Sequence, residues 1–255
     1  MSPLPPTPSP AERERGSMAG VLAGEIALVT GGRRGVGLAI GRQLLAAGAS
    51  VALVARRGAQ LSQAVASLDE GDGRAIGIVG DVTDVASMEA AVRATVERLG
   101  GLSILVNNAG LGRYGSIPDQ SPDEWRQVIE TNLFGVFYAT RAALPAIRTQ
   151  GRGHIIAISS GAAKQGYPNM SAYCSAKAGL EGFMRALTAE VATERIKVTT
   201  IVPGSILTDF GVRTRAERMA SGAKFVEPED VADAVLYVLT QPDRAWTEEL
   251  NLWPR

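Results

Sequence analysis

Tyr173 and Lys177 stand four residues apart in Ser171-Ala172-Tyr173-Cys174-Ser175-Ala176-Lys177. On a helix that spacing puts both side chains on one face. A phenol with its ordinary pKa near ~10 is a reluctant acid or base at neutral pH. An ammonium one turn away favours the phenolate and lowers that pKa, so the chemistry this pair suits is proton transfer. Ser160 ends an apolar run, where its hydroxyl is placed to bond a substrate carbonyl oxygen. Asn132 opens the apolar stretch Asn132-Leu133-Phe134-Gly135-Val136-Phe137, where an amide is costly without a partner. There it could hold a helix-bending water that relays protons. Each signal has a dull reading by itself, since Y-x-x-x-K arises by chance in many helices. The conjunction and order carry the weight.

A second constellation lies near the start. An apolar run over 25–30 leads into Thr30-Gly31-Gly32-Arg33-Arg34-Gly35-Val36-Gly37 and then a helix pattern. Glycines let backbone turn tightly and approach a pyrophosphate, and the helix N-terminus offers it free N–H groups. The spacing is T-G-x-x-x-G-x-G rather than G-x-G-x-x-G. The next apolar run ends at Ala55-Arg56-Arg57. An acid there would suit a free ribose 2′-hydroxyl, whereas Arg56 and Arg57, with Arg34 approaching from the other side, suit a 2′-phosphate. The expected cofactor is therefore NADP(H). The competing reading makes these arginines solvated surface charges. Asp81-Val82 follows the third run and Asn107-Asn108-Ala109-Gly110 the fourth. Both fall at the carboxyl edge of a parallel sheet, the first placed to reach adenine and the second to shape the crevice.

The elements that must position these residues alternate along the chain. Apolar runs at 25–30, 50–55, 75–80, 102–107, 154–159 and 197–202 are too short for buried helices and sit beside Gly, Asn, Asp or Pro. They read as strands buried on both faces, with 249–253 as a seventh. Helix patterns lie near 36–47, 59–69, 84–99, 122–149, 171–194 and 228–240. Ser121-Pro122-Asp123-Glu124 is a helix start with an N-cap serine, a first-position proline and first-turn acids. The expected fold class is α/β, a single doubly wound (Rossmann-type) domain over 21–255 with a mainly parallel seven-stranded sheet. Residues 205–226 break the rhythm and read as a partly mobile flap. The Pro/Ser-rich stretch 1–20 reads as a disordered tail, with Met18 as an alternative start.

Composition excludes several classes. Among 255 residues, Lys+Arg and Asp+Glu balance at 26 each, giving no electrostatic case for nucleic acid or a membrane surface. No run reaches the roughly 18 apolar residues of a membrane span. One cysteine, Cys174, and one histidine, His154, exclude an internal disulfide and Cys- or His-rich metal sites, so no metal is expected. Cys174 reads as a packed small side chain and His154 as structural. A cytoplasmic location fits this cysteine usage.

Taken together, TGGRRGVG at 30–37, Asp81, NNAG at 107–110, Asn132, Ser160, Tyr173 with Lys177, and Pro203-Gly204-Ser205-Ile206-Leu207-Thr208 resemble the short-chain dehydrogenase/reductase family over about residues 22–253. The resemblance implies a catalytic tetrad of Asn132, Ser160, Tyr173 and Lys177, with Lys177 also bonding the nicotinamide ribose. It implies cofactor contacts from Gly31, Arg33, Arg34, Gly35, Val36, Gly37, Arg56, Arg57, Asp81, Val82, Asn108, Ala109, Gly110, Pro203, Gly204, Ile206 and Thr208. It implies hydride transfer between NADP(H) and a small-molecule carbonyl or secondary alcohol, in a homodimer or homotetramer. The family's 3-oxoacyl carrier-protein reductases carry a glycine-rich segment after the last strand; Asn251-Leu252-Trp253-Pro254-Arg255 departs from it, which argues against that substrate. Two other readings stay open: an NADP(H)-binding sensor, and an NAD-dependent alcohol dehydrogenase, against which Arg56 argues. Specificity is expected in 111–120, 161–170 and 205–226, where Tyr114, Tyr167, Met170 and Phe210 suggest a partly apolar pocket.

Overall fold

Val, Ile and Leu in short runs form strands because β-branched side chains pack well on a pleated surface buried on both sides. The computed structural model describes residues 20–68 and 71–255. It contains β1 (Ile26–Thr30), β2 (Ser50–Ala55), β3 (Ala75–Val79), β4 (Ile104–Asn107), β5 (Gly153–Ile158), β6 (Ile196–Pro203) and β7 (Glu249–Leu252). They pair in the order β3-β2-β1-β4-β5-β6-β7, and every pairing is parallel. The expected seven-stranded doubly wound sheet is present. The expected tail over 1–20 lies, but for Gly20, outside the described residues.

The pleat sends alternate residues to opposite layers. Ala27, Val29 and Leu53 pack with Ile40 and Leu44 of α1 (Gly35–Ala46) and Val235 of α8 (Pro228–Leu239). Leu28 and Val54 face the other way, with Met88 of α3 (Val85–Leu99), Ala143 of α5 (Gly135–Thr149) and Leu180 of α6 (Ser171–Glu190). Burying a Leu or Ile side chain contributes roughly 1.5–3 kcal/mol, so both layers are strongly held. Among the described residues no helix is long and apolar enough to cross a membrane.

β1 lies between β2 and β4, so strand order reverses there. That opens a crevice above the carboxyl ends of β1 and β4. The sequence reads 122–149 as one helix; the chain instead forms α4 (Pro122–Ile129), a π-helical turn (Glu130–Phe134) and then α5. Asn132 is the physical reason: its Nδ2 donates to the Val128 carbonyl at 2.8 Å. A side-chain donor inserted there competes with the backbone ladder and widens the turn. Within the expected flap lie α7 (Arg215–Ala220), closed by a Thr214–Glu217 capping box, and a bridge between Ile206 and Val226. α2 (Gly58–Ala66) is shorter than expected, and position 69, its expected end, lies outside the described residues.

His154 sits buried in β5 with Nε2 at 2.8 Å from Thr199 Oγ1. That hydroxyl gives its hydrogen to the Thr247 carbonyl at 2.6 Å, so the ring nitrogen donates. Burial first, and repulsion from Lys197 second, push the imidazole pKa down to about 3. The unfolded chain therefore binds the extra proton first as pH falls. Stability from this group is complete above about pH 6.5 and is lost towards pH 3. Between pH 7 and pH 5 the loss amounts to about 2 kcal/mol. Urea unfolding at both pH values should show that loss shrinking by about this amount in His154→Val; an identical loss in the variant would contradict the assignment.

Candidate active site

The glycine loop is shaped by what presses on it. Gly31 takes φ +70° and Gly35 φ +54°, the left-handed region that glycine occupies without strain. A Cβ on Gly37 would stand 2.5 Å from both Asn108 Nδ2 and the Gly31 carbonyl oxygen. The Asn108 amide is fixed there by donating to the Thr30 carbonyl at 2.9 Å. The Thr30 hydroxyl accepts from the backbone N–H groups of Asn108 and Ala109 at 3.0 and 3.1 Å. The loop thus opens α1 with no side-chain cap and no first-turn acid. Free N–H groups and the positive end of the helix remain for an anion.

A cleft of about 920 Å³ runs over the carboxyl edge of the sheet. Every residue of the expected cofactor set lines it, from Gly31 to Thr208, and so do Ser160, Tyr173 and Lys177. Asn132 does not; it is fully buried behind the wall. Its amide donates to the Leu111 carbonyl at 2.8 Å and its oxygen accepts from Leu111 N–H at 3.3 Å.

Four guanidinium groups crowd the end beside β2. Burial, then repulsion from Arg34, Arg57 and Arg56, pulls Arg33 below the usual arginine range. Arg33 donates to Gln60 at 2.7 Å, and Arg56 lies 3.8 Å from the Asp81 carboxylate. Asp81 also accepts from the Thr83 backbone and hydroxyl at 3.0 and 2.9 Å. Arg34 also meets the flap, lying 3.6 Å from Asp209. Dianionic phosphate beside Arg33, Arg56 and Arg57 would relieve the repulsion.

At the other end, α6 carries Tyr173 and Lys177, which are 7% and 4% exposed. Tyr173 packs edge-on to Tyr114 at 6.3 Å between centroids and against Phe210 at 5.7 Å. Ser160 caps a 3-10 turn (Gly161–Ala163), its hydroxyl accepting from Ala162 N–H at 3.2 Å. Lys177 Nζ donates to the Ile158 carbonyl at 2.8 Å and stands 5.7 Å from the Tyr173 ring centroid. The expected lowering of the phenol by Lys177 does not prevail. Burial pushes Tyr173 well above the usual tyrosine range, Tyr114 adds to this, and Ser160 pulls the other way. Burial also brings Lys177 down to about 8, against the pull of Glu181. The Tyr173 phenol therefore holds its proton at neutral pH.

Tyr114, Tyr167, Met170 and Phe210 line the cleft as the pocket reading expects. Trp253, Arg215 and Arg218 line it too and were not anticipated. For Trp253 a signal existed: a residue just past a parallel strand lies at the ligand edge. Its ring packs on Gly161 and Gly204, where an added Cβ would come within 2.7 and 3.0 Å of it.

The profile of the family described as short chain dehydrogenase matches residues 25–219. Glycine betaine reductase ATRR of Emericella nidulans is 34% identical over 242 residues, 92% of this chain, which spans 19% of that protein's length. 2-(S)-hydroxypropyl-CoM dehydrogenase 3 of Xanthobacter autotrophicus is 32% identical, with 88% of this chain and 92% of the relative covered. A solved metagenomic short-chain oxidoreductase in complex with NADP is similar at TM-score 0.80 and 32% identity, over 92% of this chain and 99% of that one.

The tight fit at Gly37 is testable without any ligand. Gly37→Ala should lower the unfolding free energy by about 1–3 kcal/mol in a urea titration, as overpacking does. A midpoint equal to the wild type would show that the loop has room to spare.

Proposed function

The chain belongs to the short-chain dehydrogenase family of oxidoreductases, and we propose that it transfers a hydride between NADP(H) and a carbonyl or secondary alcohol, with Tyr173 as general acid and base. One observation carries this reading: the buried Tyr173 lines the cleft together with Ser160, with Lys177 one helical turn behind it. The solved neighbour's NADP supports the choice of nicotinamide cofactor, and the crowding of Arg33, Arg34, Arg56 and Arg57 supports the 2′-phosphorylated form.

The glycine loop and the α1 N-terminus would hold the pyrophosphate. Arg33, Arg56 and Arg57 would hold the 2′-phosphate, with Asp81 and Val82 at the adenine. Asn108, Ala109 and Gly110 would line the path between the two ends. Pro203, Gly204, Ile206 and Thr208 would flank the nicotinamide. Bound NADPH supplies the hydride. Ser160 orients the substrate carbonyl oxygen by a hydrogen bond. Tyr173 gives its proton to that oxygen as negative charge develops. Lys177 places a positive charge behind the phenol and would bond the cofactor ribose. Asn132 holds the wide turn through Leu111 and Val128, and so fixes the wall behind Tyr173. Phe134 and Phe137, 45% and 44% exposed, offer an apolar patch that supports a homo-oligomer.

NADPH consumption against a panel of ketones, quinones, steroid ketones and acyl thioesters finds the substrate. On the best of these, Tyr173→Phe should cost about 10²–10⁴-fold in kcat with NADPH affinity little changed; retained turnover would sink the assignment. Arg56→Asp should lower the NADPH/NADH ratio of kcat/KM by about 10–100-fold, the worth of a hydrogen bond to a charged group. An unchanged ratio would remove Arg56 from the phosphate site.

A further inference from the structure

Three consecutive residues at the exit of β5 are each engaged by one side chain of α6. The Ile158 carbonyl accepts from Lys177 Nζ at 2.8 Å. The Ser159 hydroxyl donates to Glu181 Oε1 at 3.1 Å. Ser160 faces Tyr173. Tyr173, Lys177 and Glu181 follow at intervals of four, so they form one stripe down the helix. Glu181 is only 5% exposed. A carboxylate buried to that degree is costly unless paired and hydrogen-bonded. Its second oxygen takes Lys164 Nζ at 2.7 Å. Lys164 belongs to the loop that follows Ser160, and it bridges onward to Glu249 of β7 at 2.6 Å. The clamp therefore joins α6, the β5 exit, that loop and β7.

Resting on the reading of Tyr173, Ser160 and Lys177 given above, we propose that Glu181 is a positioning residue of this site, fixing the Ser160-bearing strand exit through Ser159 and Lys164 and holding the positive charge on Lys177. The geometry gives it both tasks. Its hydrogen bonds restrain the residues on either side of Ser160, and its charge lies one helical turn from Lys177. Burial alone pulls Lys177 towards its neutral form, and Glu181 opposes that. The charged groups around the clamp are Lys177 on α6, Lys164 on the loop and Glu249 on β7, with Arg185 acting on Glu249. Lys164 competes with Lys177 for the field of Glu181.

The competition gives a test with two opposite signs. The chain has four lysines, at 164, 177, 197 and 224, so ¹³Cε-lysine NMR of the full, cofactor-free protein can follow Lys177 directly. Glu181→Gln keeps an acceptor for Ser159 but removes the charge; the Lys177 midpoint should fall by half a pH unit or more. Lys164→Met removes the competing cation without touching α6; the midpoint should rise. In steady-state assays on the panel's best substrate, the alkaline limb of kcat should move in the same directions, with KM changing less than kcat. An unmoved Lys177 midpoint in Lys164→Met overturns the proposal, whether or not Glu181→Gln folds. So does a Glu181→Gln variant that loses turnover with its Lys177 midpoint in place, since that would be a packing effect alone. The NMR midpoints do not depend on turnover. A failure of the hydride-transfer reading, seen as retained activity in Tyr173→Phe, is thus distinguishable from a failure here.

Discussion

One buried hydroxyl joins the two strands between which the sheet reverses. Thr30, 2% exposed at the end of β1, receives the backbone N–H groups of Asn108 and Ala109 from the exit of β4. Removing it would leave two half-buried donors without that acceptor. More follows from its geometry than from its energy. With β4 drawn against β1, the Asn108 amide comes to lie where a side chain at position 37 would stand. The glycine there is a consequence of that approach, and so is the bare start of α1. The open start of α1 is thus shaped by a strand–strand contact, and the loop only fills the space that contact leaves.

The proton-transfer end depends on burial. Tyr173 and Lys177 share a helix face, and the sequence expectation assigns control of the phenol to the ammonium. In the folded chain desolvation is the larger effect on both groups. It raises the phenol and lowers the amine, so each favours its neutral form. Lys177 also gives its hydrogen bond to Ile158 rather than to the phenol. Glu181 opposes the effect of burial on Lys177 and is kept dry by the same packing.

The sheet, its strand order and the cleft edge were legible because they rest on local regularities: short β-branched runs, glycine spacing, and the rule that ligands gather at carboxyl ends. What was not legible rests on non-local pairing. Asn132 was read as a helix-bending residue, but its meeting with Leu111, twenty-one residues away, is announced by no periodicity. The Arg34 contact with Asp209, 175 residues on, was likewise not foreseen. The helix of the flap was hidden by its shortness, since six residues show no amphipathic period, although Thr214 and Glu217 carry the spacing of a capping box. Glu181 was missed for another reason. A charge on an apolar helix face reads as solvated until a partner is known, and its partners come from β5 and the loop beyond.

The flap shows how the strength of each contact matches what it holds. Arg218 donates to the Thr208 and Phe210 carbonyls at 3.0 and 2.7 Å, so the flap is braced internally by charge-assisted bonds. Its tie to the glycine loop is the Arg34–Asp209 pair, with side chains 52% and 55% exposed. Exposed pairs of this kind contribute only ~0.2–1 kcal/mol. The flap is thus firm within itself and packed on Tyr173 through Phe210 at 5.7 Å between centroids, while its ion pair to the glycine loop adds little.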